Sequence, residues 1–236
     1  MEYEFTFILP CLNEENTLQY CLEEIKDYIN RKNLNAEILV SDNNSIDNSV
    51  EIAKRNGARV VVCQEKGYGN TLIHGTKNAH GKYCIIGDSD GSYDFSNLDE
   101  FIKGVREGYD LVVGNRFAGG IEKNAMTLSH KIGVKFLSRL ANIFFHTPIN
   151  DYHCGLRAYN KKSINRINLL QGGMEYASEM IIKSQLNSLK ILEVKTILRK
   201  DLRNKKSHLR TIRDGFRHLR LIFNLAINKQ KYIVKE

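Results

Sequence analysis

The chain has 236 residues, of which 42% are hydrophobic and 26% are charged. These proportions are typical of a soluble globular protein, and the length is sufficient to bury one large core. Five cysteines without a Cys-x-x-Cys pair exclude zinc-ligand spacing and favour buried free thiols in a reducing compartment.

The net charge of +8 is concentrated at the C-terminal end of the chain. Residues 195–236 contain thirteen Lys or Arg and three acidic residues, so residues 1–194 carry a net charge of −2. A nucleic acid, an anionic membrane surface and a phosphorylated substrate are all compatible with such a tail. No RNA-binding motif is visible, and we therefore expect no nucleic-acid partner.

The N-terminus enters a strand-like run without a charged and apolar leader. No window reaches about 18 uninterrupted apolar residues, the length that a spanning helix needs. We therefore expect a cytoplasmic protein, with peripheral contact at the inner face of the membrane.

Short apolar runs alternate with helix-like segments over the first 115 residues. The runs lie at 5–9, 37–40, 59–63, 83–86 and 110–113, and the helix-like segments at 17–29, 47–55, 71–79 and 98–107. This alternation predicts an α/β fold with a mainly parallel sheet flanked by helices. Open sheets of this kind bind ligands at the carboxyl ends of their strands.

The pattern is less regular after residue 115. Helices are predicted at 128–145 and 175–186, a short strand or loop at 151–159, and a strand at 191–198. Residues 208–227 predict an amphipathic C-terminal helix, whose apolar stripe is flanked by four arginines. We expect this stripe to pack on the domain first and to contact a membrane second.

The pair Asp88 and Asp90, separated by Ser89, follows the buried run at 83–86. Two carboxylates at this spacing can hold a hard divalent cation that also binds phosphate oxygens, which points to chemistry on a nucleoside diphosphate. Asp-x-Asp also occurs in ordinary turns. The meaning of the pair therefore depends on what surrounds it.

The three preceding strand ends also carry polar or glycine-rich segments. Residues 10–15 combine Asn13 with the acids Glu14 and Glu15, which either cap a helix or line a nucleotide pocket. Asp42 either caps the next helix or accepts the imide N–H of a uracil. The glycines of residues 66–69 permit close backbone approach to a ligand.

With these four strand ends together, the chain resembles the inverting family-two glycosyltransferases of the GT-A fold. Within that family it is most similar to the dolichol-phosphate and polyprenyl-phosphate sugar transferases. Relatives read Pro-x-x-Asn-Glu, Asp-Asp-Gly-Ser-x-Asp and Asp-x-Asp, and the matching segments here are 10–14, 42–47 and 88–90. The resemblance continues at 114–117, 151–158, 173–179 and 203–209.

The resemblance implies a nucleotide-sugar donor of the UDP-hexose or GDP-mannose type. It places Mg²⁺ or Mn²⁺ on the diphosphate through Asp88 and Asp90, with Asp90 also counted as catalytic. The other donor-binding residues that it implies are Pro10, Leu12, Asn13, Glu14, Asp42, Lys66, Gly69 and Ser89.

The implied acceptor is a polyprenyl or dolichyl phosphate. Asp151 is the candidate general base, although a lipid phosphate is already an anion and would leave this residue to orient groups instead. Glu179, also counted with the acceptor residues, has two interpretations: a helical residue that faces the sugar, or an exposed helical acid. The predicted acceptor and phosphate residues are Arg116, Arg203, Ser207 and His208, because an Arg fork matches phosphate oxygens.

We predict a single GT-A domain over residues 1–236. Residues 1–115 form its nucleotide-sugar half, residues 116–207 its acceptor half, and residues 208–236 the basic tail helix. The chain departs from its relatives at Asn43 and Asn44, which replace the second Asp and the Gly of the Asp-Asp-Gly-Ser turn. We also expect no C-terminal membrane span, although relatives that act on lipid carriers frequently have one.

Three other functions compete with this prediction. The same donor could serve a soluble glycan, protein or peptide hydroxyl, which the missing membrane spans favour. A sugar-1-phosphate nucleotidyltransferase would need a Gly-rich, Arg-containing loop after the first strand, and residues 10–13 are not such a loop. A non-catalytic, basic membrane-binding module would leave the four strand-end segments unexplained.

Overall fold

A seven-stranded sheet lies at the centre of the described part of the molecule. The structure is a computed structural model that describes residues 3–203 and 211–234. The strands are β1 (Phe5–Cys11), β2 (Ala36–Asp42), β3 (Arg59–Val62), β4 (Tyr83–Ile86), β5 (Leu111–Asn115), β6 (Arg157–Asn160) and β7 (Ile191–Lys195). Their order is β3-β2-β1-β4-β6-β5-β7, and β6 runs antiparallel to both of its neighbours while the other pairs are parallel. The predicted α/β fold with a mainly parallel sheet is confirmed.

Helices connect the strands and cover the sheet. They are α1 (Leu18–Lys32), α2 (Ser49–Arg55), α3 (Tyr68–Asn78), α4 (Asp99–Arg106), α5 (Arg116–Gly119), α6 (Leu128–Phe145), α7 (Lys161–Arg166), α8 (Tyr176–Leu186) and α9 (Thr211–Ile227), followed by a 3₁₀ turn, Lys229–Tyr232. The sequence pattern did not predict α5 and α7, which have four and six residues. Helices this short contain too few turns for an apolar period to be visible.

The central strands are buried on both faces. Every residue of β4 and β5 is buried, which explains why β4 and residues 111–113 of β5 are continuous apolar runs without alternation. The edge strand β3 is only partly buried. All five cysteines are buried and free, as predicted.

The parallel register brings four strand ends to one edge of the sheet. Cys11 of β1 pairs with Asp42 of β2, and Asp42 pairs with Val62 of β3. On the other side of β1, Ile8 pairs with Ile86 of β4. The segments that follow these four strands therefore begin side by side.

The antiparallel strand β6 brings a fifth segment to the same edge. Its first residue, Arg157, pairs with Ile86, the last residue of β4. Residues 151–156 therefore lie beside the segment that contains Asp88. The sequence predicted only a short strand or loop here, and its direction depends on pairing that the local pattern does not encode.

Helix α9 packs on the domain through its buried residues Leu221, Ile222 and Leu225, and it contacts α6 and α8. The first three residues of the predicted helix, 208–210, lie outside the described residues. Within the described ranges, no helix combines the length and apolar character required to cross a bilayer.

Candidate active site

Hydrogen bonds join the segment after β1 to the segment after β4. The Thr17 hydroxyl donates to the Ser89 carbonyl over 2.7 Å, and the Ser89 hydroxyl donates to the Pro10 carbonyl over 2.7 Å. Thr17 Oγ1 also lies 3.1 Å from Oε2 of Glu14, which is 4% exposed. Pro10, Glu14 and Ser89 are thus brought together as predicted, and Leu12 is half-buried nearby in sequence.

Asn13 shapes the turn after β2. Its amide oxygen accepts from the Ile46 N–H over 2.8 Å, and its own N–H donates to the Ser45 hydroxyl over 2.9 Å. Its φ of 58° is left-handed, a conformation that Asn tolerates better than most residues. The structure therefore gives Asn13 a local structural role at the predicted donor pocket.

Asp42 presents an unsatisfied oxygen at this edge. The residue is 2% exposed, and its Oδ2 accepts from the Ser45 N–H over 3.1 Å. Its Oδ1 is buried and has no hydrogen-bond partner among the described residues. A buried carboxylate oxygen without a donor carries a desolvation cost that a ligand N–H would relieve.

Asn43 explains one departure from the family pattern. Its amide nitrogen donates to the carbonyls of Cys63 and Glu65 over 3.0 and 2.9 Å, and its amide oxygen accepts from Gly67 N–H over 2.9 Å. An ionised Asp could not donate to the two carbonyls. Asn43 therefore ties the turn after β2 to the turn after β3 in a way that requires an amide.

The glycines after β3 lie directly against the backbone of residues 171–173. A Cβ on Gly69 would lie 2.1 Å from the carbonyl oxygen of Gln171, and one on Gly67 would lie 2.2 Å from the Gly172 oxygen. Asn70 N–H also donates to the Gly172 oxygen over 3.2 Å. This corrects the expectation that these glycines, Gly69 in particular, approach a ligand, whereas Lys66 is exposed at the same turn.

Asp88 and Asp90 are oriented by different donors. The Tyr68 hydroxyl donates to Asp88 Oδ1 over 2.9 Å. Asp90 Oδ1 accepts from the N–H and the hydroxyl of Ser92 over 3.0 and 2.6 Å. Burial, and then the nearby Asp90 carboxylate, raise the pKa of Asp88 to about 6. The two acids therefore repel each other in a site of low polarity.

The two carboxylates of Asp88 and Asp90 are suitable ligands for Mg²⁺ or Mn²⁺. Both cations prefer carboxylate oxygens, and Mg²⁺ is commonly held by one or two carboxylates together with substrate phosphates. Among the described residues, no cluster of three or more His, Cys, Asp or Glu side chains is arranged to hold a metal ion. With two protein carboxylates, the remaining ligands would come from a diphosphate and water.

Arg203 lies against both carboxylate segments. Its guanidinium contacts both oxygens of Glu14, with Nε 3.0 Å from Oε2, and its Nη1 is 3.3 Å from Asp90 Oδ2. Although burial alone would lower it, the Glu14 and Asp90 carboxylates hold the pKa of Arg203 above its ordinary value. The predicted phosphate ligand is thus placed beside the predicted metal carboxylates.

Arg116 and Asp151, the predicted phosphate ligand and general base, form a buried ion pair with each other. Asp151 is 0% exposed and Arg116 is 5% exposed. The Arg116 fork contacts both carboxylate oxygens, over 2.7 and 2.8 Å, and the Arg116 N–H adds a third bond. In this arrangement Asp151 is not accessible as a general base and Arg116 is not accessible to phosphate, which corrects both predictions.

Glu179 is also buried, at 1% exposure, and does not face a sugar. Its carboxylate accepts from the backbone N–H groups of Leu170 and Gln171 over 2.9 and 2.8 Å, and it pairs with Lys183 over 2.8 Å. Glu179 therefore holds the loop whose backbone lies against Gly67 and Gly69. This corrects the predicted acceptor contact.

Ser207 and His208, the remaining predicted acceptor residues, lie outside the described residues. Tyr68, Thr17 and Ser92 orient the predicted site, and the sequence pattern did not indicate them. Tyr68 lies between the two glycines of the predicted donor turn, and this position could have identified it as a site residue. Thr17 and Ser92 carry no distinguishing pattern, because a hydroxyl at a turn or cap is common.

Solved structures show the same fold. Glucosyl-3-phosphoglycerate synthase from Mycobacterium tuberculosis, crystallised with Mn²⁺, UDP and phosphoglyceric acid, superposes with a TM-score of 0.73. The match covers 99% of this chain and 80% of that one at 17% sequence identity. This likeness confirms the expected GT-A architecture.

Two proteins of Haloferax volcanii are similar in sequence. The low-salt glycan biosynthesis hexosyltransferase Agl6 is 32% identical over 228 residues, which is 96% of this chain but 54% of Agl6. The chain thus spans about half the length of that relative. A dolichyl-phosphate hexose transferase is 26% identical over 196 residues, 81% of this chain and 83% of the relative.

The family comparison agrees with these relatives. The sequence profile described as "Glycosyl transferase family 2" matches residues 6–167, more than half of the chain. This range includes the four strand-end segments and the segment before β6. The chain therefore belongs to glycosyl transferase family 2.

Proposed function

We propose that the chain is a metal-dependent inverting glycosyltransferase that moves a hexose from a UDP- or GDP-linked donor to a polyprenyl or dolichyl phosphate. The observation that carries this proposal is the convergence of Asp42, Glu14 and the Asp88/Asp90 pair at one edge of the sheet. One oxygen of Asp42 has no donor among the described residues, and the acidic pair needs a cation.

The donor would lie along this edge with its base at Asp42. The unpartnered Oδ1 can accept the imide N–H of uracil, and guanine offers an N–H of the same kind. Pro10 and Leu12 are half-buried and would flank the nucleoside, with the exposed Lys66 at the rim. The solved structure with the same fold was crystallised with Mn²⁺ and UDP, which supports a nucleotide donor that binds together with a metal.

The chain's own residues hold the reacting groups in place. Asp88 and Asp90 would bind the cation on the diphosphate, while Tyr68 and Ser92 keep the two carboxylates oriented. The bound cation supplies Lewis-acid stabilisation of the departing nucleoside diphosphate. Arg203 would add positive charge at the same place, since it already contacts Asp90. Inversion then follows from attack on the opposite face of the anomeric carbon.

The burial of Asp151 favours a phosphate acceptor over a hydroxyl acceptor. A neutral hydroxyl needs a base to remove its proton, whereas a lipid phosphate is already ionised near neutral pH. Asp151, the predicted base, is fully buried against Arg116. The relative named as a dolichyl-phosphate hexose transferase supports the same acceptor class.

The test is a transfer assay with UDP- and GDP-sugars, Mn²⁺ or Mg²⁺, and either polyprenyl phosphate or a soluble glycan. We expect nucleoside diphosphate release that requires the metal and the lipid phosphate, with inversion at the anomeric carbon. Asp90→Asn should abolish it, whereas Asp27→Asn, on the exposed surface of α1, should not. Release that responds only to the soluble glycan would contradict the proposed acceptor.

A further inference from the structure

Helix α6 carries an apolar stripe that faces solvent. Leu128, Ile132, Phe136 and Ile143 are 73, 61, 58 and 67% exposed. On a helix of about 3.6 residues per turn, these positions fall within about 80° of arc. The buried residues of α6, such as Val134 and Ala141, lie on the opposite side. The helix therefore has one apolar face for the core and a second one without a protein partner among the described residues.

Helix α9 has the same two-sided organisation. It packs through Leu221, Ile222 and Leu225, which lie outside the apolar stripe that the sequence pattern predicted to pack on the domain, so that prediction is wrong about the packing face. Phe216, Phe223 and Ile227 are nevertheless 67, 46 and 81% exposed. These three positions fall within about 40° of arc on the side away from the core.

The two helices that carry these stripes are neighbours. Helices α6 and α9 pack against each other, and Phe223 of the α9 stripe meets Phe144 of α6 edge to face, with ring centroids 5.8 Å apart. The two exposed stripes therefore lie on adjacent helices, and they are here called together the α6–α9 face. Soluble proteins rarely leave so many large apolar side chains together in water without a use for them.

The exposed charges on both helices are positive. Helix α6 contains Lys131, Lys135 and Arg139 and no acidic residue. Helix α9 exposes Arg213 (58% side-chain exposure) and Arg220. Its single acidic residue within the described helix, Asp214, is only 5% exposed. A protein partner of ordinary composition carries charges of both signs. An anionic lipid surface carries only negative charge and is therefore complementary to this basic surface.

We propose that the α6–α9 face docks the protein onto an anionic lipid bilayer, with the apolar stripes in the headgroup region and the Lys and Arg side chains on lipid phosphates. Amphipathic helices with large apolar residues and basic flanks bind membranes in this way. This extends the membrane contact expected of α9 alone to a two-helix surface in which α6 contributes the longer stripe. The proposal is compatible with a lipid-phosphate acceptor but is tested without donor, acceptor or turnover, so it can fail independently of the proposed function.

Tryptophan fluorescence gives a direct test, because the chain contains no Trp. Phe136→Trp and Phe216→Trp would each place a single indole on the α6–α9 face, and Val62→Trp would place one on the edge strand β3. We expect the emission of the first two variants to shift to the blue when phosphatidylglycerol-containing vesicles are added. The Val62→Trp emission should not move.

Vesicle co-sedimentation of the wild-type chain and two double variants measures the contributions of apolar and charged residues. Ile132→Ser with Phe136→Ser should weaken binding at least about tenfold, because two large apolar side chains no longer leave water. Arg139→Glu with Arg220→Glu should weaken binding to anionic vesicles by a similar factor. The matched controls are Val62→Ser and the pair Lys54→Glu with Lys103→Glu, exposed residues on other elements.

Three results would overturn the proposal. If the emission wavelength of Phe136→Trp and Phe216→Trp does not change when anionic vesicles are added, the α6–α9 face does not enter the lipid. Equal wild-type binding to phosphatidylcholine and phosphatidylglycerol vesicles would remove the role of the basic residues. Light scattering that shows a wild-type dimer, lost in the Ile132→Ser/Phe136→Ser variant, without any vesicle binding would assign the face to a second copy of the chain. Circular dichroism of each variant confirms that its helices are intact.

Discussion

Tyr68 is the residue that connects the turn after β3 to the proposed metal site. Its hydroxyl donates to Asp88, whereas Asp90 is held by Ser92 within its own turn. Asp88 therefore depends on a distant segment for its orientation, and Asp90 does not. A hydrogen bond to a metal-binding carboxylate fixes the direction of its lone pairs and is worth roughly a 10- to 100-fold change in metal affinity.

Replacing Tyr68 with Phe should therefore weaken Mn²⁺ binding by about tenfold with little change in the free energy of unfolding. The ring remains and only the hydroxyl is removed. Electron paramagnetic resonance of Mn²⁺ in the presence of UDP measures the affinity, and urea denaturation measures the stability. Tyr20→Phe is the matched control, since it removes a Tyr-to-carboxylate hydrogen bond on α1, to Glu24. Unchanged Mn²⁺ affinity in Tyr68→Phe would contradict the positioning role.

At the level of elements, α3 and α8 are joined through the loop between α7 and α8. Glu179 of α8 holds the backbone of residues 170–171, and the backbone of residues 171–172 fits against Gly69 and Gly67 at the start of α3. The glycines are needed because the loop leaves no room for a Cβ. This contact places Tyr68 where its hydroxyl reaches Asp88.

Gly69→Ala should consequently destabilise the protein by about 1–3 kcal/mol, the usual cost of overpacking, and should weaken Mn²⁺ binding together with it. Gly133→Ala is the control on α6, where an added Cβ meets nothing within 4 Å. That substitution should raise the free energy of unfolding by about 0.5–1 kcal/mol, because Ala favours a helix over Gly. Equal stabilities for the two variants in urea denaturation would show that the loop does not press on Gly69.

A histidine pair lies where α9 meets the segment before β6. The rings of His153 and His218 are 4.4 Å apart, and Nδ1 of His218 is 2.8 Å from the Ser178 hydroxyl of α8. Burial lowers the pKa of His218 to about 4 and that of His153 well below its ordinary value. Both rings are therefore neutral in the folded protein at pH 7.

The packing of α9 should weaken in acid for this reason. The unfolded chain protonates His218 below about pH 6.5, while the folded chain does so only near pH 4. Since the unfolded state then binds more protons, the free energy of unfolding falls as the pH decreases between these values, by about 2 kcal/mol for His218 at pH 5. Above about pH 6.5 the group contributes nothing to the pH dependence.

Urea denaturation at pH 7 and pH 5 measures this effect. His218→Gln cannot be protonated, so its loss of stability between the two pH values should be smaller than that of the wild type by about 2 kcal/mol. His146→Asn, which replaces an exposed helix-capping His, should keep the wild-type difference. The same acid sensitivity in His218→Gln would assign the effect to other groups.

For the whole molecule, the sequence was sufficient to predict that the segments after β1, β2 and β4 meet at one edge of the sheet. Parallel strands bring their carboxyl ends to one edge, so the positions of Asp42, Asp88 and Asp90 follow from chain order and period alone. The order and spacing of the strand-end motifs are likewise sufficient to indicate the family. Local pattern and topology agree in this half of the chain.

The surroundings of the residues that were predicted to bind the acceptor could not be predicted in the same way. Asp151 and Arg116 are 35 positions apart, and their pairing depends on β6 entering the sheet antiparallel between β4 and β5. Glu179 reads as an exposed helical acid until the loop that it holds is seen. Burial and pairing that depend on tertiary contacts leave no periodic signal in the sequence.

Metal-dependent nucleotide binding tests the central claim most directly. Titration calorimetry of UDP and GDP, with and without Mn²⁺, should show binding to the wild type that requires the metal. Asp90→Asn should lose the metal requirement together with most of the affinity. Asp42→Asn should weaken nucleotide binding by about tenfold or more while still requiring Mn²⁺, because the single amide oxygen of Asn would have to serve both the Ser45 N–H and the base N–H. Nucleotide binding of equal strength in all three proteins, with or without Mn²⁺, would contradict the proposed donor site.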